Sequence, residues 1–121
     1  MRQLVVLCGL PGSGKTTLAR GIAAALPATF LRIDAIERGV AEALGPLDQR
    51  DAAYRAAVEL AGEALALDQN VVADAVHGME VLLDRWRALA ADRCARATII
   101  ECVLADRDLH RARVEARHAA G

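Results

Sequence analysis

A glycine-rich octapeptide near the start of the chain restricts its fold more than any other feature. Residues 9–16 read Gly-Leu-Pro-Gly-Ser-Gly-Lys-Thr, and they follow an apolar run at residues 3–8. Such a run is typical of a strand buried on both faces of a parallel sheet. Residues 15–26 are good helix formers with apolar positions at helical spacing, and Pro27 ends that pattern. The sequence therefore predicts a strand, a glycine-rich loop and a helix in direct succession.

This arrangement is that of a phosphate-binding P-loop. Its glycines let the backbone bend and direct N–H groups at phosphate oxygens, and the N-terminus of the helix adds positive potential. Lys15 is placed to reach the β- and γ-phosphates of a nucleotide, and Thr16 to offer its hydroxyl to Mg²⁺. We therefore predict ATP and Mg²⁺ as cofactors. The predicted nucleotide-binding residues are Gly9, Leu10, Pro11, Gly12, Ser13, Gly14, Lys15, Thr16 and Thr17.

The rest of the chain alternates between strand and helix patterns. Strand patterns cover residues 28–33, 70–73 and 97–104. Helical patterns cover residues 34–44, 47–67, 79–92 and an arginine-rich segment from 106 onward. Because parallel neighbouring strands need crossover helices, we predict one α/β domain over residues 1–121, a doubly wound parallel sheet with helices on both faces.

Charge and composition limit the partners of the chain. Fifteen basic and sixteen acidic residues give a net charge of −1, and no continuous basic stripe with interleaved aromatic residues is visible. We therefore expect no long nucleic acid as a partner. No apolar run approaches the roughly 18 residues of a membrane span and no signal peptide pattern is present, so we expect a cytoplasmic protein without a membrane partner. Cys8, Cys94 and Cys102 lack metal-ligand or CxxC spacing, and we predict buried, reduced thiols.

Three segments together resemble a known group of enzymes. The P-loop with Thr17, the stretch Arg32-Ile-Asp34-Ala-Ile and the stretch Val71-Val-Ala-Asp74 are similar to the small P-loop kinases. That group includes AAA_33 domains, zeta toxins, chloramphenicol phosphotransferase and polynucleotide kinase. The resemblance implies the strand order 2-3-1-4 and transfer of a phosphoryl group from MgATP to a hydroxyl.

The resemblance makes Asp34 the general base that accepts the proton of the acceptor hydroxyl. A carboxylate at the carboxyl end of a strand can orient a hydroxyl in line with the γ-phosphate, where positioning supplies most of the catalysis. An alternative needs no catalysis, because Asp34-Ala-Ile-Glu37 before an apolar helix is also a capping-box pattern. Both interpretations stay open on the sequence alone.

Asp74 ends the third strand, where P-loop folds present a carboxylate beside the Mg²⁺ site. We predict that Asp74 and Thr16 order the metal, with a solvated turn residue as the alternative for Asp74. The resemblance also implies Arg38 as an arginine on the substrate side, and His77 is close enough to Asp74 in the sequence to touch substrate.

Arg113 and Arg117 lie four residues apart on the predicted last helix and so share a face. They resemble the R-x-x-x-R of the kinase lid, which we place at about residues 106–121. Lid arginines would stabilise charge on the transferred oxygens and exclude water. The alternative is a pair of solvated arginines on a surface helix.

The kinases that this chain resembles continue past the lid with a fifth strand and a closing helix. We therefore expect a C-terminally truncated fold without the fifth strand, and an exposed edge on the fourth strand that favours self-association. The predicted function is an ATP-dependent phosphotransferase, with Lys15, Asp34, Arg113 and Arg117 as catalytic residues and a small-molecule hydroxyl as acceptor. The alternative is an ATP-binding module or ATPase fragment that is inactive alone. A GTPase is disfavoured because the guanine-selecting Asn-Lys-x-Asp motif is absent.

Overall fold

The computed structural model describes residues 1–9, 14–45, 50–75, 80–106 and 111–119, with a description limited to the backbone for 50–51, 103–106 and 111–119. The strands are β1 (Gln3–Gly9), β2 (Ala28–Arg32), β3 (Asn70–Asp74), β4 (Arg96–Asp106) and β5 (Arg111–Ala119). The helices are α1 (Lys15–Ala25), α2 (Ile33–Leu44), α3 (Arg50–Ala66) and α4 (Glu80–Asp92). The first eight of these nine elements follow the predicted order of strands and helices.

Four parallel strands form the sheet in the order β2-β3-β1-β4, which confirms the predicted order 2-3-1-4. Leu7 on β1 pairs with Asp74 on β3, and Asp74 in turn lies opposite Arg32 on β2. On the other side of β1, Gly9 lies opposite Cys102 on β4. Since all four strands run in the same direction, their carboxyl ends meet at one edge of the sheet, beside the predicted phosphate loop.

The strand β1 has buried side chains on both faces, which is why its sequence is a continuous apolar run. Leu4, Val6 and Cys8 belong to one buried cluster with residues of α3 and α4. Val5 and Leu7 belong to a second buried cluster on the opposite face, together with residues of α1. The predicted helices on both faces are therefore confirmed.

Helix α4 packs on the sheet through the apolar face that its sequence spacing predicts. Leu83 and Trp86 are buried in the first cluster, and Leu82 and Leu89 pack against it. The Trp86 ring lies 6.0 Å from the ring of Tyr54, measured between centroids. These are two of the three aromatic side chains in the chain, so most of the core is aliphatic.

The last strand, β5, corrects two expectations. Residues 111–119 form an antiparallel strand on β4, where we predicted an arginine-rich helix and no fifth strand. Pairing with β5 covers the edge of β4 that we expected to be exposed and available for self-association. The physical reason is that an edge strand offers a row of unpaired backbone groups, and satisfying them outweighs the few tenths of a kcal/mol per residue of helix propensity.

The cysteines divide into two kinds. Cys8 and Cys102 are buried in the sheet as predicted, whereas Cys94 is exposed, which corrects the prediction that it is buried. Cys94 lies between α4 and β4 with a left-handed φ of 54°, in a turn that brings the backbone to the surface. No disulfide joins any of these three cysteines. Within the described part of the chain, every helix is too short or too polar to cross a bilayer.

Gly9 shows most directly why a glycine is needed in this fold. Its φ is +144°, and a Cβ atom built on it would lie 2.3 Å from the carbonyl oxygen of Cys102. That oxygen belongs to the backbone of the neighbouring strand, so it cannot move aside without breaking the sheet. The close approach of β1 and β4 at this point therefore depends on the missing side chain.

We expect Gly9→Ala to destabilise the protein by about 3 kcal/mol, because it combines backbone strain with a clash against β4. Urea unfolding followed by circular dichroism would measure this. The control is Gly39→Ala on α2, where a Cβ would meet no heavy atom within 4 Å. That change should stabilise the protein by about 0.5–1 kcal/mol. A Gly9→Ala variant as stable as Gly39→Ala would contradict the close approach.

Candidate active site at the carboxyl end of the sheet

The first turn of α1 follows the glycine-rich segment as the P-loop pattern requires. Gly14 is the N-cap residue of α1 and adopts a left-handed conformation with φ 82° and ψ 6°. Its carbonyl oxygen accepts the backbone hydrogen bond of Leu18 at 3.0 Å. The predicted nucleotide-binding residues Leu10, Pro11, Gly12 and Ser13 lie outside the described residues. Gly9 and Gly14, which border that segment, have the positive φ values that a tight phosphate loop needs.

Lys15 and Asp74 form a buried ion pair at this edge of the sheet. The Lys15 ammonium donates to Oδ1 of Asp74, and the two side chains are 8% and 3% exposed. The Thr16 hydroxyl donates to Oδ2 of the same carboxylate at 2.9 Å. Both oxygens of Asp74 are therefore occupied by neighbouring P-loop side chains. This burial excludes the alternative that Asp74 is a solvated turn residue.

Arg32 lies between the carboxylates of Asp34 and Asp74, a position that its sequence context does not predict. Its Nε is 3.8 Å from Oδ2 of Asp74, and its Nη2 is 4.0 Å from Oδ2 of Asp34. Both separations are too long for a hydrogen bond. The register of β2 on β3, which places Arg32 opposite Asp74, creates this arrangement. No local sequence pattern predicts this arrangement, because the pairing of Arg32 with Asp74 joins residues far apart in the chain.

Asp34 is not the N-cap of the second helix. Helix α2 begins at Ile33 with Arg32 as its N-cap residue, and no side chain forms a capping hydrogen bond there. The capping-box interpretation of Asp34 is therefore wrong. As an acidic residue in the first turn, Asp34 still interacts favourably with the helix dipole. Its side chain is 50% exposed and faces Arg32, so a hydroxyl compound can approach the carboxylate from solvent.

The pKa of the Cys102 thiol is shifted by burial and by the charges of the Lys15–Asp74 ion pair. Burial is the largest effect and raises the pKa of this thiol, the Lys15 ammonium lowers it, and the Asp74 carboxylate raises it. A raised pKa keeps the thiol neutral at physiological pH. Cys102 therefore contributes packing next to Gly9 on β1 and no additional charge.

The remaining predicted residues are less closely connected to this cluster. Thr17 on α1 and Arg38 on α2 are exposed. His77 lies outside the described residues. Arg113 and Arg117 lie on β5 opposite Val103 and Ile99, so their Cα atoms are separated by about 13 Å of strand rather than by one helical turn of about 5.4 Å.

The arginine pair of a helical lid is therefore not formed by this backbone. Arg113 pairs with Val103, the residue that follows the partner of Gly9 on β4, so Arg113 is level with the carboxyl end of the parallel strands. Arg117 is level with the middle of these strands. Among the described residues there is no group of three or more histidine, cysteine, aspartate and glutamate side chains that could hold a metal ion unaided.

Comparison with protein families places this site in context. Residues 4–121 match the model of the family AAA_33, described as an AAA domain. A shikimate kinase of Thermobifida fusca is 38% identical over 109 residues, which cover 87% of this chain and 61% of the relative. The chain thus spans about three fifths of the length of this relative.

Solved structures share the fold. A candidate kinase of Chloroflexus aurantiacus superposes with a TM-score of 0.74 at 23% identity, over 84% of this chain and 59% of that one. A gluconokinase of Sinorhizobium meliloti superposes with a TM-score of 0.55 at 23% identity, over 84% of this chain and 58% of that one. These likenesses confirm the doubly wound fold.

We expect removal of either partner of the buried ion pair to be costly. Lys15→Met and Asp74→Asn should each destabilise the protein by about 3 kcal/mol, because each leaves the other group buried without its partner. The double variant should lose clearly less than the sum of the two. Urea unfolding of the four proteins closes the cycle.

Asp68→Asn at the exposed pair with Arg2 is the matched control and should leave stability unchanged. Asn tolerates the left-handed φ of 67° at position 68, so the change tests the loss of charge alone. Additive losses for Lys15 and Asp74 would show that the two side chains do not interact in solution.

Proposed function

The chain belongs to the AAA_33 family of AAA domains, and on that premise we propose that it transfers the γ-phosphoryl group of MgATP to a hydroxyl of a small-molecule acceptor. The observation that carries this proposal is the cluster of Lys15, Thr16 and Asp74 with Asp34 next to it at the same sheet edge. The relatives named shikimate kinase and gluconokinase support a small acceptor.

Lys15 and Asp34 would divide the work in this reaction. On nucleotide binding the Lys15 ammonium turns from Asp74 to the β- and γ-phosphates, where it neutralises developing charge. Asp34 orients the acceptor hydroxyl and takes its proton as the bond from the hydroxyl oxygen to the γ-phosphorus forms. The bond from that phosphorus to the bridging oxygen breaks, and ADP leaves with the electron pair.

The residues around Asp74 fit a magnesium ion. Mg²⁺ prefers hard oxygen ligands and is usually held by one or two protein groups together with substrate phosphates. The Thr16 hydroxyl and the Asp74 carboxylate offer such oxygens side by side, 2.9 Å apart. When bound with ATP, the ion would neutralise phosphate charge. The proposal therefore assigns Thr16 and Asp74 to the metal, in agreement with the sequence prediction.

Calorimetric titration of MgATP into the purified chain tests the nucleotide site. We expect binding that Lys15→Ala weakens at least about tenfold, because a charge-assisted contact to phosphate is lost. MgGTP should bind more weakly, since no guanine-selecting motif is present. Arg20→Ala, an exposed arginine on the same helix, is the control and should bind as the wild type does. A folded wild-type chain that binds no MgATP would overturn the proposal.

Asp34→Asn separates catalysis from binding. This change keeps the shape of the side chain and removes the base, so we expect unchanged MgATP affinity and a loss of phosphoryl transfer of at least about 100-fold. ADP formation with a panel of hydroxyl acceptors measures it. Full activity of Asp34→Asn would remove Asp34 from the mechanism. Nucleotide binding without turnover on any acceptor would instead favour an ATP-binding module that is inactive alone.

A further inference from the structure

The Nε donor of Arg32 is buried and has no acceptor in the described part of the chain. A buried N–H without an acceptor is costly, and a native protein that keeps one often reserves it for a ligand. The side chain as a whole is 28% exposed, so part of it reaches solvent.

The position of Arg32 indicates what this ligand is. The Nε atom of Arg32 lies 3.8 Å from the carboxylate of Asp74, which contacts Lys15 and Thr16. Its Nη2 atom lies 4.0 Å from the carboxylate of Asp34. Asp74 already accepts hydrogen bonds from Lys15 and Thr16, so its carboxylate has other partners than Arg32. Arg32 therefore extends from the phosphate side of the site to the proposed base, with donors committed to neither carboxylate.

The transferred group must pass through the same region. In a reactive complex the hydroxyl oxygen held by Asp34 lies about 3–3.5 Å from the γ-phosphorus. Arg32 is within 4.0 Å of both carboxylates. Its guanidinium would therefore lie near the oxygens of a phosphoryl group held between them. Its planar fork of N–H donors matches two phosphate oxygens at once, which an ammonium cannot do.

We propose that Arg32 binds the γ-phosphoryl group of ATP and stabilises the charge on its oxygens during transfer. The inference rests on the proposed function, because it uses the same nucleotide and the same base. It supplies from β2 the positive charge that the sequence analysis expected from a helical pair, Arg113 and Arg117. Lys15 then acts from the P-loop side of the phosphoryl group, and Arg32 from the acceptor side.

Calorimetry with two nucleotides tests this role, using MgADP and the non-hydrolysable β,γ-imido analogue of MgATP. We expect Arg32→Gln to weaken binding of the triphosphate at least about tenfold and to leave MgADP affinity within about twofold, since only the triphosphate carries the γ-group. Arg32→Lys keeps the charge without the fork, and a smaller loss, again confined to the triphosphate, is expected. Arg20→Ala should change neither affinity.

Other results of this calorimetry would contradict the role of Arg32 or the proposed function. Equal losses for both nucleotides, or no loss for either, would overturn the role of Arg32 while leaving the proposed function intact. The second of these results, joined to lost transfer activity, would instead assign Arg32 to an anionic group of the acceptor. If Arg32→Gln does not fold, as judged by circular dichroism, Arg32→Lys decides between these outcomes. A wild-type chain that binds neither nucleotide would overturn the proposed function and this inference together.

Discussion

The buried ion pair between Lys15 and Asp74 is the interaction on which the arrangement of this site depends. It joins the first turn of α1 to the end of β3, and the Thr16 hydroxyl adds a second bond to the same carboxylate. The Asp74 carboxylate is the counter-charge of the buried Lys15 ammonium. A buried ammonium without a counter-charge would be strongly destabilising, so the ion pair stabilises the buried positions of both Lys15 and Asp74.

The sheet creates this site by bringing strand ends together. Parallel strands place Gly9, Arg32 and Asp74 at one edge, and the register sets Arg32 directly opposite Asp74. Gly9 makes its close contact with the backbone of Cys102 at the last residue of β1, and β4 continues past this point. Packing on both faces of β1 fixes these strand positions, and the positions of the charged groups follow from that packing.

The charges around Asp74 nearly balance. Lys15 and Arg32 face the carboxylates of Asp74 and Asp34, and two of these four groups, Lys15 and Asp74, are buried. Under the proposed function, a bound nucleotide would add several negative charges, which Mg²⁺ and these two cations are suited to offset. The alternation of cations and carboxylates would then link phosphate binding to the acceptor side of the site, where Asp34 is half exposed.

The sequence by itself determined the P-loop, the four parallel strands and their helices, and the carboxylate at the end of β3. Each of these follows from a local pattern: an apolar run, glycines followed by lysine and threonine, or helical spacing of apolar residues. The tertiary structure alone decided three other points. Asp34 lies inside the first turn of α2 and is not its cap, Arg32 stands between two carboxylates, and residues 111–119 form a strand. The reason is that helix boundaries, strand register and the satisfaction of a sheet edge depend on contacts between distant residues, which outweigh local propensity.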